Sequence, residues 1–444
     1  MLYSMVHNNN LGDPLDKRIK DGFEVTTSQV CPPKKTVEKC MRHDVDRKAL
    51  GRSHIAEVFL VFLRLGLTSF GGPVAHLGYF HQEFVARRKW LDDRAYADLV
   101  ALCQFLPGPA SSQVGLAVGL SRAGFGGALA AWTGFTLPSA LALVLFAFGM
   151  SALGSTAESP WLHGLKIAAV AVVAQAVLAM TRALAPDKER ATLAVVAACM
   201  VLLFPSAWSQ VAAIVMGAIV GVMLLKVETT PEAPAAIPLA IGRRTALLSL
   251  FLFFALLIGL PILAAQSSDM NVKLMDSFYR SGSLVFGGGH VVLPLLQAEV
   301  VPPGWVNDSQ FMAGYGAAQA VPGPLFTFAA YLGAVIGGWS AAAISLLAVF
   351  LPSFLLVIGA LPFWETLRTR SWAQSLLRGI NATVVGLLVA AFYDPVWTTG
   401  ITSARDFALA MVAFLALQMW KVAPWLVVIL CAFAASGLAV LLPA

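Results

Sequence analysis

The stretch FLRLGLTSFGGP, residues 62–73, decides the fold, because it returns later in the chain as FYRSGSLVFGGG, residues 278–289. Each copy places one arginine, Arg64 or Arg280, in an apolar run seven residues before consecutive glycines. Glycines after an apolar run favour a break in a helix, because glycine adopts backbone angles that other residues avoid. The sequence therefore predicts one ancestral unit that is used twice, with a broken helix in each copy.

Further motifs repeat at nearly the same offset, which stays between 214 and 216 residues. The matched positions are Glu83 with Glu299, Gln104 with Gln319, Pro107-Gly108-Pro109 with Pro322-Gly323-Pro324, and Pro138-Ser139 with Pro352-Ser353. A single Pro-Gly-Pro would be weak evidence, but two of them at one distance from the glycine motif support an internal repeat. Each Pro-Gly-Pro also predicts a second helix break in its unit, because proline removes a backbone donor.

The composition indicates a membrane protein. Hydrophobic residues make up 58% of the chain and charged residues 12%, whereas a soluble domain carries about 25% charged residues. Apolar runs such as Ala246–Ala265 and Val422–Leu442 reach the length of about 20 residues that spans a bilayer. We expect an all-α, polytopic protein in the lipid bilayer, with about 9–13 transmembrane or re-entrant helical segments.

The loops that follow the two glycine motifs differ in charge. Four basic residues lie between positions 87 and 94, whereas positions 291–310 contain no Lys or Arg. Basic loops stay on the cytoplasmic side, so the two loops are expected on opposite faces of the membrane. The run Ala246–Ala265 has no counterpart in the first unit, and one extra crossing would invert the second unit. Inverted repeats are typical of secondary transporters.

The segment between residues 57 and 85 is expected not to cross the membrane, because the chain is basic on both sides of it. We predict two half-helices, Glu57–Ser69 and Val74–Val85, joined at Gly71-Gly72-Pro73. Residues Ala95–Leu120 are expected to form a second hairpin around their Pro-Gly-Pro motif. The alternative is that these two segments each cross the membrane once, with a basic external loop between them. Both arrangements leave the rest of the chain in the same orientation in the membrane.

The repeat divides the chain into four parts. We expect a cytoplasmic, disordered tail at 1–52, because this region is polar, mixed in charge and without periodicity. The other predicted parts are an N-terminal repeat at 53–227, a linker with the extra transmembrane helix at 228–272, and a C-terminal repeat at 273–444.

Arg64 and Arg280 are the strongest candidates for a substrate site. Arginine at membrane depth is unfavourable, and it usually marks a pathway or a paired site. Their equivalent places in an inverted repeat would put them on opposite sides of one central site. The alternative is that each side chain reaches an interface, or pairs with a carboxylate such as Glu83 or Glu299.

The helix breaks point to an anionic substrate. Each break would expose backbone N–H groups at a new helix N-terminus, which carries a partial positive charge. Arginine's planar fork suits an oxyanion, and no buried acidic cluster that would bind a cation is evident. Neutral hydrogen bonds could come from Gln104, Gln319, Ser111, Ser112, Thr68, Ser69 and Thr327. The alternative for each break is a packing kink, where glycine lets two helices approach closely.

Proton coupling would need titratable groups near the breaks. The candidates are His76, Glu83, His290 and Glu299. Both histidines closely follow a glycine break, and histidine can titrate near neutrality. The alternative is that these histidines only pack at an interface.

Residues 62–73, followed by Gln104 and Pro107-Gly108-Pro109, resemble the signature of the CHR family of chromate ion transporters. Residues 286–290, followed by Gln319 and Pro322-Gly323-Pro324, resemble the C-terminal half of that family. The resemblance runs from Val58 to the C-terminus and is to the long, two-domain type, whose halves are taken to be oppositely oriented.

The resemblance implies chemiosmotic export of chromate from the cytoplasm across the inner (plasma) membrane, with resistance to chromate as the result. It also implies that sulfate is a competing analogue, because both ions are tetrahedral dianions. No nucleotide-binding domain is expected, and no GxxxxGK[ST] motif occurs in the sequence.

The family motif assigns substrate binding to equivalent positions in both halves. These positions are Arg64, Gly71, Gly72, Pro73, Gln104, Pro107, Gly108, Pro109, Arg280, Gly287, Gly288, Gln319, Pro322, Gly323 and Pro324. Gly289 replaces the proline found at Pro73, so the two glycine breaks are not expected to be identical.

Other functional classes are disfavoured. An enzyme would need a nucleophile with a base or clustered metal ligands, whereas the seven histidines and five cysteines are scattered. We therefore expect no catalytic residue, cofactor or metal. The net charge of +6 lies in the tail and loops, which indicates topology rather than nucleic-acid binding. An anion channel, transport of another oxyanion such as sulfate, and a homodimer stay open.

Overall fold

The computed structural model describes residues 54–152, 159–225, 241–286 and 288–441, and every regular element in these ranges is a helix. The first repeat contains α1 (54–68), α2 (Gly72–His81) with a π-helical turn (Gln82–Arg87), α3 (Asp93–Phe105), α4 (Ala110–Ala152), α5 (Pro160–Leu184), α6 (Lys188–Leu203) and α7 (Ala207–Leu224). The predicted all-α class is confirmed.

The second repeat follows an additional helix, α8 (Arg243–Gln266), which corresponds to the predicted extra run Ala246–Ala265. The remaining helices are α9 (Met270–Leu284), α10 (Val292–Val300), α11 (Asp308–Ala320), α12 (Phe328–Ala360), α13 (Trp364–Arg368), α14 (Ser371–Ala391), α15 (Thr398–Gly400), α16 (Ala404–Gln418) and α17 (Pro424–Leu441). The predicted tail at 1–52 and the site candidate Gly287 lie outside the described residues.

Among the residues that the structure describes, six helical segments are long and apolar enough to cross a membrane, so the chain is a multi-pass membrane protein. They are Ala110–Ala152, Pro160–Leu184, Arg243–Gln266, Leu325–Phe363, Ser371–Gly400 and Pro424–Leu441. Most other helices are shorter, and several end at the glycine and proline motifs.

The first broken segment reverses direction at its glycine motif. Phe62 on α1 and Phe84 after α2 have ring centroids 5.1 Å apart, although a continuous helix would separate them by about 33 Å. Gly71 begins the reversal, because its φ of 99° is a left-handed angle that glycine adopts without strain. The two half-helices therefore form a hairpin, as predicted, and not one straight crossing.

The Pro-Gly-Pro break of the second repeat also joins two antiparallel arms. Tyr331 on α12 donates a hydrogen bond to the carbonyl of Gln310 on α11 at 2.9 Å. The rings of Phe311 and Phe328 lie 5.1 Å apart. The arms α11 and the start of α12 thus lie side by side, with the Pro-Gly-Pro motif at the tip.

The two long helices, α4 and α12, each consist of two arms. Non-helical dihedral angles occur at Ala123 and Gly124 in α4 and at Gly337 and Gly338 in α12. Gly119 is in backbone contact with Gly127, whereas eight residues of straight helix would span about 12 Å. Each long helix therefore begins as one arm of a hairpin and continues in a new direction.

The last helices of each repeat pack on the other repeat. Helix α5 packs against α16 and α17, and the equivalent α14 packs against α6 and α7. Gly164 of α5 contacts the backbone of Cys431, and Gly379 of α14 contacts the backbone of Gly217. These glycines allow close approach of the helices. The repeats therefore interlock in a symmetric way.

Candidate functional site

The hairpin tips of the two repeats are joined by two equivalent hydrogen bonds. The backbone N–H of Gly108 donates to the carbonyl of Val285 at 2.7 Å. In the same way, the N–H of Gly323 donates to the carbonyl of Ser69 at 2.9 Å. Each Pro-Gly-Pro tip thus contacts the glycine-motif tip of the other repeat, which matches the repeat symmetry inferred from the sequence.

The two glycine-motif tips also lie against each other. A Cβ atom on Gly289 would lie 3.2 Å from Cγ of Pro73, and one on Gly72 would lie 3.9 Å from Nε2 of His290. The four predicted breaks therefore converge on one region between the repeats. We call this region the tip junction and define it as residues 69–73, 107–113, 285–290 (except 287) and 322–327.

Glycine is required where the Pro-Gly-Pro tips turn. Gly108 has a φ of 124° and Gly323 a φ of 100°, both in the left-handed region. A Cβ on Gly108 would lie 2.6 Å from Nε2 of Gln113 and would collide with Oγ of Ser353. A Cβ on Gly323 would lie 2.9 Å from Oγ of Ser139. Ser139 and Ser353, which occupy equivalent positions in the two repeats, thus each lie against the Pro-Gly-Pro tip of the other repeat.

Two side chains hold the proline turns in place. Nε2 of Gln113 donates to the carbonyl of Pro107 at 2.7 Å. The hydroxyl of Thr327 donates to the carbonyl of Pro324, also at 2.7 Å. These bonds satisfy carbonyl groups that the broken helices leave free, and they fix the position of the adjoining polar atoms.

Several buried polar atoms around the junction lack a hydrogen-bond partner within the described part of the chain. They are Oγ of Ser69, Nε2 of His76, Oγ of Ser112, Oε1 of Gln113 and Oγ of Ser353. Each of these five side chains belongs to a residue that is at most 5% exposed. Buried polar atoms are normally paired, so this cluster indicates that a polar ligand or water occupies the junction.

The junction also collects helix N-termini and contains no acidic residue in its sequence. Helix α2 has no side-chain cap, and neither do the 3-10 turns Gly289–Val291 and Leu325–Thr327 that precede α10 and α12. Uncapped N–H groups at these N-termini can donate hydrogen bonds to a bound anion.

The two predicted arginines do not bond to the junction. Arg64 is exposed on α1 between Leu60 and Leu67, which are 62% and 54% exposed. Its guanidinium forms no ion pair with the residues that the structure describes. Direct contact between Arg64 and the substrate stays a prediction.

Arg280 is held by two carboxylates. Its Nη2 lies 3.0 Å from Oδ2 of Asp276 and 2.8 Å from Oε2 of Glu299. The bond to Glu299 joins α9 to α10 and closes the second glycine-motif hairpin. We call Asp276, Arg280 and Glu299 the carboxylate-rich cluster. This pairing is the alternative that the sequence left open for Arg280.

The equivalent hairpin of the first repeat is closed by a different set of charges. Glu83 pairs with Arg88 at 2.6 Å and with Arg87 at 3.0 Å. Glu57 on α1 pairs with Arg88 at 2.9 Å and with Arg122 at 3.4 Å. We call these five residues the arginine-rich cluster.

The remaining candidates differ in position. His76 lies 3.4 Å from Oγ of Ser111 through its Nδ1, and His290 lies 2.9 Å from the hydroxyl of Tyr315. Gln104 is exposed, whereas Gln319 is half-buried with an amide nitrogen that lacks a partner among the described residues. Thr68 donates to the carbonyl of Arg64 and is exposed. Coupling through either histidine stays a prediction.

Three residues near these sites were not among the sequence candidates. Gln113 and Ser353 line the Pro-Gly-Pro tips, and Asp276 bonds to Arg280. The repeated Pro-Ser pairs at 138–139 and 352–353 were a usable signal for Ser353. The signal for Asp276 was its position one helical turn before Arg280.

No group of three or more metal-ligating side chains occurs in the described residues. One polar cavity of about 180 Å³ lies away from the tips, at the start of α11. Its polar lining consists of Ser151, Asn307, Ser309, Gln310 and Tyr331. It is large enough for water or a small ion.

A family profile described as chromate transporter matches residues 56–222 and 272–436 of the chain. A chromate transport protein of Pseudomonas aeruginosa is 27% identical over 389 residues, which cover 86% of this chain and 91% of that protein. A chromate transport protein of Cupriavidus metallidurans is 26% identical over 361 residues, or 78% and 85% of the two chains. No solved structure gave a significant match.

One relative corresponds to a single repeat. An uncharacterised transporter of Bacillus subtilis is 31% identical over 172 residues, which cover 36% of this chain and 82% of that protein. The repeat unit therefore also occurs in a chain about half as long.

Proposed function

Because the chain belongs to the chromate transporter family, we propose that it exports chromate from the cytoplasm through a site at the tip junction. It would act as a secondary transporter in the inner membrane and confer resistance to chromate. The observation that carries the proposal is the set of buried, unpartnered polar atoms at the tips. A tetrahedral oxyanion supplies the acceptor oxygens that the hydroxyl donors need.

The donors at the junction suit an anion that must bind and then leave. The hydroxyls of Ser69, Ser112 and Ser353 can turn toward a bound oxyanion, and the uncapped N-termini add N–H groups. Neutral donors hold a dianion less firmly than a buried arginine would, and transport requires such reversible binding. Sulfate has the same shape and charge, so we expect it to compete for the site.

Two polar contacts between the repeats support alternating access. Arg368 pairs with Asp98 of α3 at 3.0 Å, and Lys166 of α5 donates to Ser309 of α11. Helices α3 and α11 are equivalent in the two repeats. If α8 inverts the second repeat, the starts of α3 and α11 lie on opposite faces of the membrane. Breaking one contact would then open the junction to one side only.

The membrane potential assists this direction of transport. When a dianion leaves a negative-inside cell, its free energy falls by about 2.3 kcal/mol per charge for each 100 mV of membrane potential. Export is therefore favourable without nucleotide hydrolysis, which agrees with the absence of a GxxxxGK[ST] motif from the sequence.

The proposal is tested by uptake of labelled chromate into everted membrane vesicles that contain the protein. We expect saturable uptake that collapses when an uncoupler is added and that falls when sulfate is added in excess. Vesicles from cells with the empty vector are the control. No uptake above that control, with the folded protein present in the membrane, would contradict chromate export.

A further inference from the structure

The carboxylate-rich cluster contains more acid than base. A single nitrogen, Nη2 of Arg280, bonds to Oδ2 of Asp276 at 3.0 Å and to Oε2 of Glu299 at 2.8 Å. Because both carboxylate oxygens bond to the same nitrogen, the distance between them cannot exceed the sum of these two distances. Both carboxylates are about nine-tenths buried, with side-chain exposures of 10% and 9%. Two ionised carboxylates at such a distance repel each other, and one guanidinium neutralises only one of them.

We propose that Asp276 and Glu299 share one exchangeable proton and form the site at which a proton is coupled to oxyanion transport. This inference deepens the proposed function and rests on it. The proton binds from water to a carboxylate oxygen and converts that group to a neutral acid. Release of the same proton to the other side restores the carboxylate, so no other reactant is consumed.

Asp276 is the better placed of the two groups to take up the proton. Its second oxygen, Oδ1, is buried and has no hydrogen-bond partner among the described residues. An ionised oxygen in this state is strongly unfavourable, whereas a neutral carboxylic acid loses less on burial. Nε of Arg280 is likewise buried without a partner among the described residues, so its N–H can donate to a water molecule beside the cluster.

Within the described part of the chain, no second cation forms an ion pair with the surplus carboxylate. Helices α8, α10 and α12 pack against α9. The only charged residues of α8 are Arg243 and Arg244 at its start, α10 contributes only Glu299, and α12 has none. On α9 itself, Lys273 forms no ion pair with the residues that the structure describes. Tyr279 is already engaged, because its hydroxyl donates to the carbonyl of Phe253.

The cluster is mechanically connected to the tip junction. Val285, whose carbonyl accepts the N–H of Gly108, follows Arg280 by five residues on the same helix, or about 8 Å. The bond from Arg280 to Glu299 fastens α10, the arm that follows the tip, to α9, the arm that precedes it. While the shared proton lies on Asp276, the bond from Arg280 to Glu299 stays intact. When the proton lies on Glu299, that bond weakens, which loosens the hairpin that bears the tip. Proton binding and opening of the junction are thereby linked.

The test uses the purified, full-length protein in liposomes and the isosteric variant Asp276→Asn. Two rates are measured with labelled chromate: exchange at equal pH on both sides, and uptake driven by a pH gradient. We expect wild-type protein to show both. We expect Asp276→Asn to retain exchange and to lose the difference between uptake with and without the gradient. A variant with undiminished gradient-driven uptake would overturn the proposal.

Asp269→Asn is the matched control. Asp269 caps the same helix through a hydrogen bond from the backbone of Asn271, and it is exposed. Asparagine preserves this cap, so the control variant should behave as wild type in both assays. Loss of gradient-driven uptake in this control as well would show that any change on α9 uncouples transport, and it would contradict a specific role of Asp276.

A second measurement does not depend on chromate. A hydrophobic carbodiimide reacts with carboxylic acids that are both protonated and buried, so it should modify Asp276 or Glu299 in wild-type protein. Modification should decline as the pH rises from about pH 5 to about pH 9. The absence of modification at both residues over this range would overturn the proton site. If the wild-type protein is modified but transports no chromate, the proposed function is overturned, whereas the proton site is still supported.

Discussion

The two glycine-motif hairpins descend from one unit, yet they are closed by opposite charge. The arginine-rich cluster of the first hairpin combines three arginines with two glutamates, and Arg87 and Arg122 are 55% and 35% exposed. The carboxylate-rich cluster of the second hairpin combines one arginine with two carboxylates, and its side chains are between 9% and 19% exposed. The first cluster carries surplus positive charge and is partly exposed, and the second carries surplus negative charge and is largely buried.

Helix α8 accounts for part of this difference. It has no counterpart in the first repeat and packs against α9, where Tyr279 bonds to its backbone. The position equivalent to Asp276 is Leu60, which is 62% exposed, whereas Asp276 is 7% exposed. The helix face that bears Asp276 is thus buried in the second repeat, whereas the equivalent face of α1 is exposed. Arg64 and Arg280 occupy equivalent positions, yet within the described residues only Arg280 is paired with carboxylates.

The largest expected effect is that of Arg280→Ala. Removal of Arg280 leaves two buried carboxylates without their cation, and loss of one partner of a buried pair costs about 3–5 kcal/mol. We expect a large fall in the thermal stability of the detergent-solubilised protein.

Arg64→Ala is the control for this comparison. Arg64 is exposed and has no ion pair among the described residues, so its removal should change stability by less than about 0.5 kcal/mol. Equal losses of stability in the two variants would contradict the contrast between the hairpins.

A substitution at a Pro-Gly-Pro tip should have the next largest effect. Gly108→Ala forces a side chain into a left-handed conformation with φ of 124° and against Gln113. Such backbone strain costs about 1–3 kcal/mol, and the shifted tip should also lose chromate uptake. Gly323→Ala should cost less, because its nearest neighbour, Ser139 Oγ, would be 2.9 Å away.

Gly149→Ala is the matched control for the tips. Gly149 lies in α4, and a Cβ there would meet nothing within 4 Å. Helical alanine is favoured over glycine, so uptake and stability should equal or exceed wild type. If Gly108→Ala transports chromate as well as Gly149→Ala does, the tips are not the site.

The smallest expected effect concerns the caps of equivalent helices outside the hairpins. Asp187 caps α6, and the uncharged Ser403 caps α16 at the equivalent position. Hydrogen bonds from Arg190 hold the pKa of Asp187 below its usual range. The ionised Asp187 therefore stabilises the fold at a pH above the pKa of aspartate in the unfolded chain, about 3.9. This stabilisation is lost as the pH falls through the lowered pKa of Asp187 in the folded protein.

Asp187→Asn keeps the cap but removes this titration. We expect the variant to lose less thermal stability than wild type between about pH 5 and about pH 3. Equal losses would show that the ion pair with Arg190 contributes nothing, which is common for exposed pairs.

The sequence was sufficient to predict the all-α fold, the repeats and the broken helices, because these depend on local backbone rules. The consecutive glycines and the Pro-Gly-Pro motifs favour a break at the tips through their own backbone preferences, whatever packs around them. The partners of Arg280 could not be chosen in advance, because Glu299 approaches it only after the hairpin has closed. Gln113 was missed for a related reason: its bond to Pro107 depends on the turn of the tip and not on any periodicity.

The most direct test of the tip junction is equilibrium binding of labelled chromate to purified Gln113→Glu. The substitution keeps the shape of the side chain and places a carboxylate at a residue that is 0% exposed, beside the proposed anion. Gln175→Glu is the control, because the Gln175 amide also donates to a backbone carbonyl, that of Leu417 at 3.2 Å. We predict that Gln113→Glu loses chromate binding while Gln175→Glu retains it. Undiminished binding by folded Gln113→Glu would contradict the placement of the substrate at the hairpin tips.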